Sequence, residues 1–241
     1  MKLSPSDSAA RSSAAAGPRI DAAQIRRVRS RLVHWFGGAR RHFYWRERET
    51  SPFGVLLSEI LLCRSRAESV DAVARRLLER FPDAASLARA RVGDVERILY
   101  PLGLHRTRAR LVVRCAREIL ERHAGDVPAD VKSLMSLSYV GRYAAHSVAC
   151  VAFGQHLPIL DANVARVYQR LFDLPPLRVR VTEAKALWSL AKRVLPRAGA
   201  REFNWALLDL GGTTCKPRNP GCAVCPVSSM CGEFQRRRRS D

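Results

Sequence analysis

Hydrophobic positions along this chain recur at helical spacing, and no segment sustains the two-residue alternation of a half-buried strand. Ile25, Val28, Leu32 and Phe36 mark a first helix, with Asp21 as its N-cap and Gly37-Gly38 as its stop. Ser51-Pro52, a cap followed by proline at the first helical position, opens a second that runs to Arg64. The same period predicts helices over 67–80, 83–89, 92–99 and 106–123. A tight turn around Val140 to Arg142 then opens a run of small apolar residues, Tyr143 to Phe153, whose lack of a polar face predicts burial on every side. Gly154 ends it, and after the apolar stretch Leu157 to Leu160 a lone carboxylate, Asp161, precedes an amphipathic helix over 162–172. Pro175-Pro176 breaks the chain. Ala184, Leu187, Trp188, Ala191, Val194 and Leu195 predict the next helix, and a last one spans 200–210 and stops at Gly211-Gly212. The fold class is all-α.

Composition narrows the partners. At 241 residues and 47% hydrophobic content the chain can bury one large core or two modest ones without disulfides. Its formal net charge of +20 calls for a polyanion, either nucleic acid or an acidic membrane surface. The excess is carried almost wholly by arginine, part of it in the run Arg236 to Arg239, so a merely soluble basic protein stays open. No apolar run has the length of a membrane span and the N-terminus lacks the apolar core of a signal peptide, which favours nucleic acid, no membrane and a cytoplasmic location. Residues 1–19, rich in Ser and Ala, predict a flexible tail.

Three features carry chemistry. Glu59 interrupts an otherwise apolar helix between Leu57 and Ile60, and it needs a partner, a solvent-filled pocket or a function; a thin exposed stripe is the bland reading. Asp161 stands at a helix N-terminus beside a turn whose N–H groups can hold a phosphate, although a simple N-cap would look the same. Cys215, Cys222, Cys225 and Cys231 form C-x6-C-x2-C-x5-C among turn-forming residues, Pro217, Asn219, Pro220 and Gly221. Without an export signal this favours metal over disulfides, and a single C-x2-C pair favours a [4Fe-4S] cluster over zinc. Cys63, Cys115 and Cys150 fall within apolar patterns and read as core.

Turn, buried helix, apolar run and aspartate, followed by the four-cysteine loop, resemble the helix-hairpin-helix DNA glycosylase superfamily of endonuclease III and the adenine DNA glycosylases. The stretches F-Y-W-R, L-L-S-E-I-L-L-C-R-S, V-G-R-Y and L-D-A-N-V-A-R-V look most like those of mismatch-specific thymine/uracil DNA glycosylases. The resemblance covers residues 22–234. It implies that Asp161 stabilises positive charge on the sugar as the N-glycosidic bond breaks, with Asn163 in support. Glu59 matches a glutamate that in the adenine branch protonates the departing base and positions water; for a pyrimidine it is assigned to the pocket and to water. Tyr143 stands where strand-cutting members carry a Schiff-base lysine, which implies a monofunctional enzyme that leaves an abasic site. Arg64 and Ser65 fall where the family places the wedge behind a flipped nucleotide. Backbone contacts are expected from the amides of Val140, Gly141 and Arg142 and from Lys216 and Arg218, and Lys132 reads as a surface or phosphate contact.

The resemblance implies double-stranded DNA with a mismatched or damaged base as partner, a monomer, and these units: a helical domain over 20–50 plus 157–212 with Asp161, a barrel-like domain over 51–156 with the hairpin, an iron–sulfur loop over 213–234 and a basic tail over 235–241. One departure stands out: the family hairpin is usually L-P-G-V-G, and here it is L-S-Y-V-G, with Ser138 and Tyr139 in place of proline and the first glycine. Losing that glycine predicts altered backbone angles or a blocked approach to phosphate. Two other functions stay open. An adenine glycosylase is disfavoured by the short chain beyond the cysteines, and a non-catalytic iron–sulfur DNA-binding or damage-sensing protein by the intact Asp161 and Glu59.

Overall fold

The computed structural model describes residues 20–240, so the tail expected over 1–19 lies outside the described residues. Twelve α-helices and no strand are found among them: α1 Ala22–Ala39, α2 Pro52–Leu62, α3 Ala67–Arg80, α4 Ala84–Ala88, α5 Val92–Leu99, α6 His105–His123, α7 Val131–Ser136, α8 Arg142–Val151, α9 Ala162–Leu171, α10 Lys185–Val194, α11 Ala200–Asp209 and α12 Gly232–Ser240. The all-α expectation holds. Three caps read from sequence are made: Asp21 accepts from the Gln24 amide at 2.6 Å, Ser51 from Gly54 at 3.1 Å and Asp161 from Val164 at 2.7 Å.

Two glycine pairs do not stop their helices as expected. α1 continues through Gly37-Gly38 to Ala39, where both glycines are exposed and the cost of helical glycine is borne in a last turn. Beyond α11 the chain winds on through Gly211-Gly212 as a π-helical turn, Leu210–Thr214. That wide turn lays Gly211 on the start of α9, where a Cβ would stand 2.9 Å from Cβ of Asn163. Helix α8 is shorter than expected and not buried on every side: Tyr143 and His146 are only partly covered. Helix α7, too short to show a period, is capped by Asp130.

Helices α2 to α8 pack in one group, with α6 against α4 and α5, and α8 against α2 and α7. Helices α1, α9 and α11 pack in another, which α8 also touches through α11. The junction is held by a carboxylate with no solvent exposure, Asp209. Arg46 grips it with two hydrogen bonds of 2.8 and 2.9 Å, and Arg41 Nε adds a third at 2.8 Å. The Arg46 guanidinium also lies over the rings of Phe43 and Trp205, and Phe43 stacks on Trp45 at 4.7 Å. The basic run at the C-terminus is helical, with Arg236 paired to Asp173 and Arg237 to Glu233.

Removing the central carboxylate strands two cations, one of them buried. Asp209→Ala is expected to lower stability by about 3–5 kcal/mol, read as a lower urea midpoint. Arg237→Ala, which breaks a surface pair, should change it by less than about 1 kcal/mol.

Candidate active site

A pocket of about 680 Å3 opens between the two helix groups. Its wall is assembled from the aromatic turn (Phe43, Trp45, Arg46), the end of α2 (Glu59, Arg64, Ser65), the start of α8 (Gly141, Tyr143) and the start of α9 (Asp161, Asn163). Seven of the residues proposed from sequence therefore share one cavity: Glu59, Arg64, Ser65, Gly141, Tyr143, Asp161 and Asn163.

Glu59 is 6% exposed, so the exposed-stripe reading is wrong. Its Oε1 accepts from the Ser147 hydroxyl at 2.6 Å, while Oε2 is buried and has no partner. Burial pushes the carboxyl up to about 7 against the pull of Ser147, Tyr143 and Arg46, and nearby Asp161 adds to the rise. The Tyr143 phenol, beside these two acids, is raised well above its ordinary value, first by burial.

Asp161 does two jobs in one geometry. Oδ1 caps α9 through Val164, and Oδ2 accepts from the Asn163 side chain at 2.7 Å. Asn163 in turn accepts from Arg166 Nη2 at 3.0 Å, and the same guanidinium donates to the carbonyls of Gly211 and Cys215. The carboxylate is thus tied to the cysteine loop through two side chains.

At the pocket mouth, Arg64 and Tyr139 both adopt left-handed backbone, with φ of 58° and 69°. Tyr139 is 46% exposed and its hydroxyl lies 3.5 Å from Cys63 Sγ. Cys63, expected in the core, is exposed because α2 ends one residue before it. Ser65 Oγ accepts from Arg108 at 2.6 Å, and Arg108 also donates to the Cys63 and Leu61 carbonyls, which fixes the loop that carries Arg64.

The other proposed contacts are distributed differently. The Val140 amide is already given to the Leu137 carbonyl. Gly141 caps α8 without a side-chain hydrogen bond, which leaves the first-turn amides without that partner. Arg142 stacks over Trp188 at 4.0 Å rather than lining the pocket. Lys132 is exposed, and so are Lys216 and Arg218 on the cysteine loop, outside the pocket.

Cys215, Cys222, Cys225 and Cys231 line one small cavity between the loop and Arg170. None is in a disulfide, and burial pushes the Cys225 thiol up to about 11. Among the described residues no group of three or more Cys, His, Asp or Glu side chains is gathered closely enough to hold a metal ion. Four thiols around a shared cavity are a donor set that suits a metal-containing group.

Sequence reasoning gave no role to Arg46, Ser147, Arg166 or Asp209. Two of them carried a signal: Asp209 interrupts an apolar stretch as Glu59 does, and Ser147 lies one helical turn after Tyr143 on the same face.

Two acids thus share a pocket between the helix groups, with the hairpin at its mouth. The chain belongs to the HhH-GPD superfamily of base excision DNA repair proteins, whose profile matches residues 57–193. It is 33% identical over 217 residues to a thymine/uracil-DNA glycosylase of Pyrobaculum aerophilum, covering 88% of this chain and 94% of that one. The fold superposes on a thermostable thymine-DNA glycosylase with a TM-score of 0.82 and 28% identity, over 89% of this chain and 98% of that one. An endonuclease III solved in a non-covalent complex with DNA gives 0.78 and 25%, over 91% and 99%.

Because burial opposes the charged form, folded Glu59 keeps its proton up to about pH 7 while an unfolded chain releases it near the ordinary value of 4.5. Its contribution is intact below the unfolded value and is lost as pH rises through the folded one. Glu59→Gln, which cannot ionise, should match the parent in denaturation at about pH 4 and exceed it by about 3 kcal/mol at about pH 8.

Proposed function

We propose that this chain is a monofunctional DNA glycosylase that removes thymine or uracil mispaired with guanine from duplex DNA and leaves an abasic site. The observation that carries this reading is the division between two acids in one pocket. Glu59 is held protonated well above the usual carboxylate range, and Asp161 is held as an acceptor by an amide and an asparagine. A base swung out of the duplex enters a cavity of suitable size, walled on one side by Trp45 and Phe43. As the N-glycosidic bond lengthens, negative charge grows on the base and positive charge on the sugar. Glu59 meets the first with a proton and Asp161 meets the second with a carboxylate; water then adds to the sugar, and the proton it loses returns to the Glu59 carboxylate.

No lysine is among the residues lining the pocket, and a phenol at Tyr143 cannot form a Schiff base, which supports release without strand cutting. DNA binding is supported by the net charge of +20 and by the uncapped first turn of α8, whose amides suit a phosphate. Arg64, beside the cavity, suits the edge of the orphaned guanine. Cys215, Cys222, Cys225 and Cys231 would hold a [4Fe-4S] cluster. That group would fasten the loop whose Cys215 carbonyl Arg166 grips.

End-labelled duplexes with G·T, G·U, A opposite 8-oxoguanine and normal pairs separate the readings. Cuts on G·T and G·U only after alkali are expected; cuts without alkali sink the monofunctional claim, and cuts on the adenine duplex alone replace the substrate. Asp161→Asn should lower the single-turnover rate by about 10²–10³-fold. The parent rate should fall as pH rises through about 7, the value to which Glu59 is raised, and Glu59→Gln should flatten that fall. A broad visible absorbance accompanied by iron and sulfide is expected of the purified protein, and zinc in their place would overturn the cluster.

A further inference from the structure

Helix α8 carries small residues along the side that meets α2, with Ala144, Ala145, Val148 and Ala149 all buried. Among them stands a hydroxyl, Ser147, 1% exposed. Nothing in the packing asks for it, since alanine would fill the same space beside its alanine neighbours. Buried serines in helices commonly satisfy themselves by donating to the carbonyl four residues back. Ser58, on the facing helix, does this, donating to Gly54 at 2.8 Å. Ser147 instead donates across the helix contact to Glu59 Oε1 at 2.6 Å.

The consequence lies in hydrogen positions. A hydroxyl that donates to Oε1 makes that oxygen an acceptor, so when the carboxyl is protonated its hydrogen belongs on the other oxygen. Oε2 is the oxygen left without a partner, on a residue that lines the pocket. We propose that Ser147 is a positioning residue: it directs the Glu59 proton to Oε2 and stabilises the carboxylate that remains after the proton is given up. This deepens the glycosylase reading and rests on it for its catalytic meaning, but the contact itself does not depend on any substrate.

Other groups also bear on Glu59. The Tyr143 hydroxyl reaches it from α8 as a second, weaker hydrogen-bonding influence, and Asp161 faces it from the start of α9 and Arg46 from the aromatic turn. Of the influences that lower its proton affinity, the Ser147 hydrogen bond is the largest. Removing it withdraws a donor to a charged group, which raises the titration point by about one pH unit and leaves the proton free to sit on either oxygen.

The test compares the parent, Ser147→Ala and Ser147→Thr, with circular dichroism and melting to confirm folding. Infrared difference spectra follow the carboxyl band that Glu59→Gln abolishes, so the titration of Glu59 is read with no DNA present. Expected is a midpoint about one pH unit higher in Ser147→Ala and a return towards the parent in Ser147→Thr, which keeps the hydroxyl. An unmoved or lowered midpoint in folded Ser147→Ala overturns the inference, as does a folded Ser147→Thr that titrates like the alanine variant. In single-turnover base release, Ser147→Ala should shift the falling limb upward by the same interval and lower the plateau several-fold. If no duplex releases a base, the glycosylase reading fails while the infrared result still decides the role of Ser147.

Discussion

The buried carboxylate of Asp209 is the constraint on which the pocket depends. A charge without any solvent contact is tolerable only if its lone pairs are filled, and Arg46 and Arg41 fill them with three short hydrogen bonds. Doing so fixes the aromatic turn: Arg46 lies between Phe43 and Trp205, and Phe43 stacks on Trp45. That turn is one wall of the cavity, and its Arg46 guanidinium lowers the proton affinity of Glu59. Structural and chemical roles therefore meet in one ion network.

The two acids of the pocket differ because their surroundings differ. Asp161 sits where a helix start and an asparagine supply a donor to each of its oxygens. Glu59 sits inside apolar α2, buried almost completely, so its charge is resisted. The Asp161 charge further discourages ionisation of Glu59. Stability is sacrificed in the process, because an unpartnered buried oxygen is retained where an apolar residue would be less costly.

Much of this was legible in the sequence, for identifiable reasons. Helical period, caps and prolines are local, and they placed nearly every long helix to within a few residues. Asp161, Asn163, Tyr143 and Glu59 were legible because motif and order survive in the chain even where identity is low. What escaped was set by distance in the fold. Ser147 is one alanine-like residue in a run of small residues until α2 is seen against it, and Arg166 is an ordinary arginine until Cys215 and Asn163 are seen on either side. The glycine pairs misled because a helix end depends on what packs there: Gly211 serves close approach to Asn163 rather than termination.

The hairpin shows how a turn can be held without the proline and glycine the family usually places there. Tyr139 holds the left-handed conformation that a glycine would take without strain, at a cost of about 1–2 kcal/mol. Its neighbour provides the compensation. The Ser138 amide and hydroxyl donate to the two oxygens of Glu118 at 2.6 and 2.5 Å, and Glu118 is itself braced by Arg114 and Arg122. A proline at 138 has neither donor, so the anchor exists only because serine replaced it. Bonds to a charged acceptor contribute about 1.5–3 kcal/mol each, enough to offset the strain at Tyr139. The two departures from L-P-G-V-G are thus one change: the turn is clamped from α6 instead of being stiffened by proline, and the clamp lets a phenol stand at the pocket mouth, beside Cys63, where a glycine would leave open space.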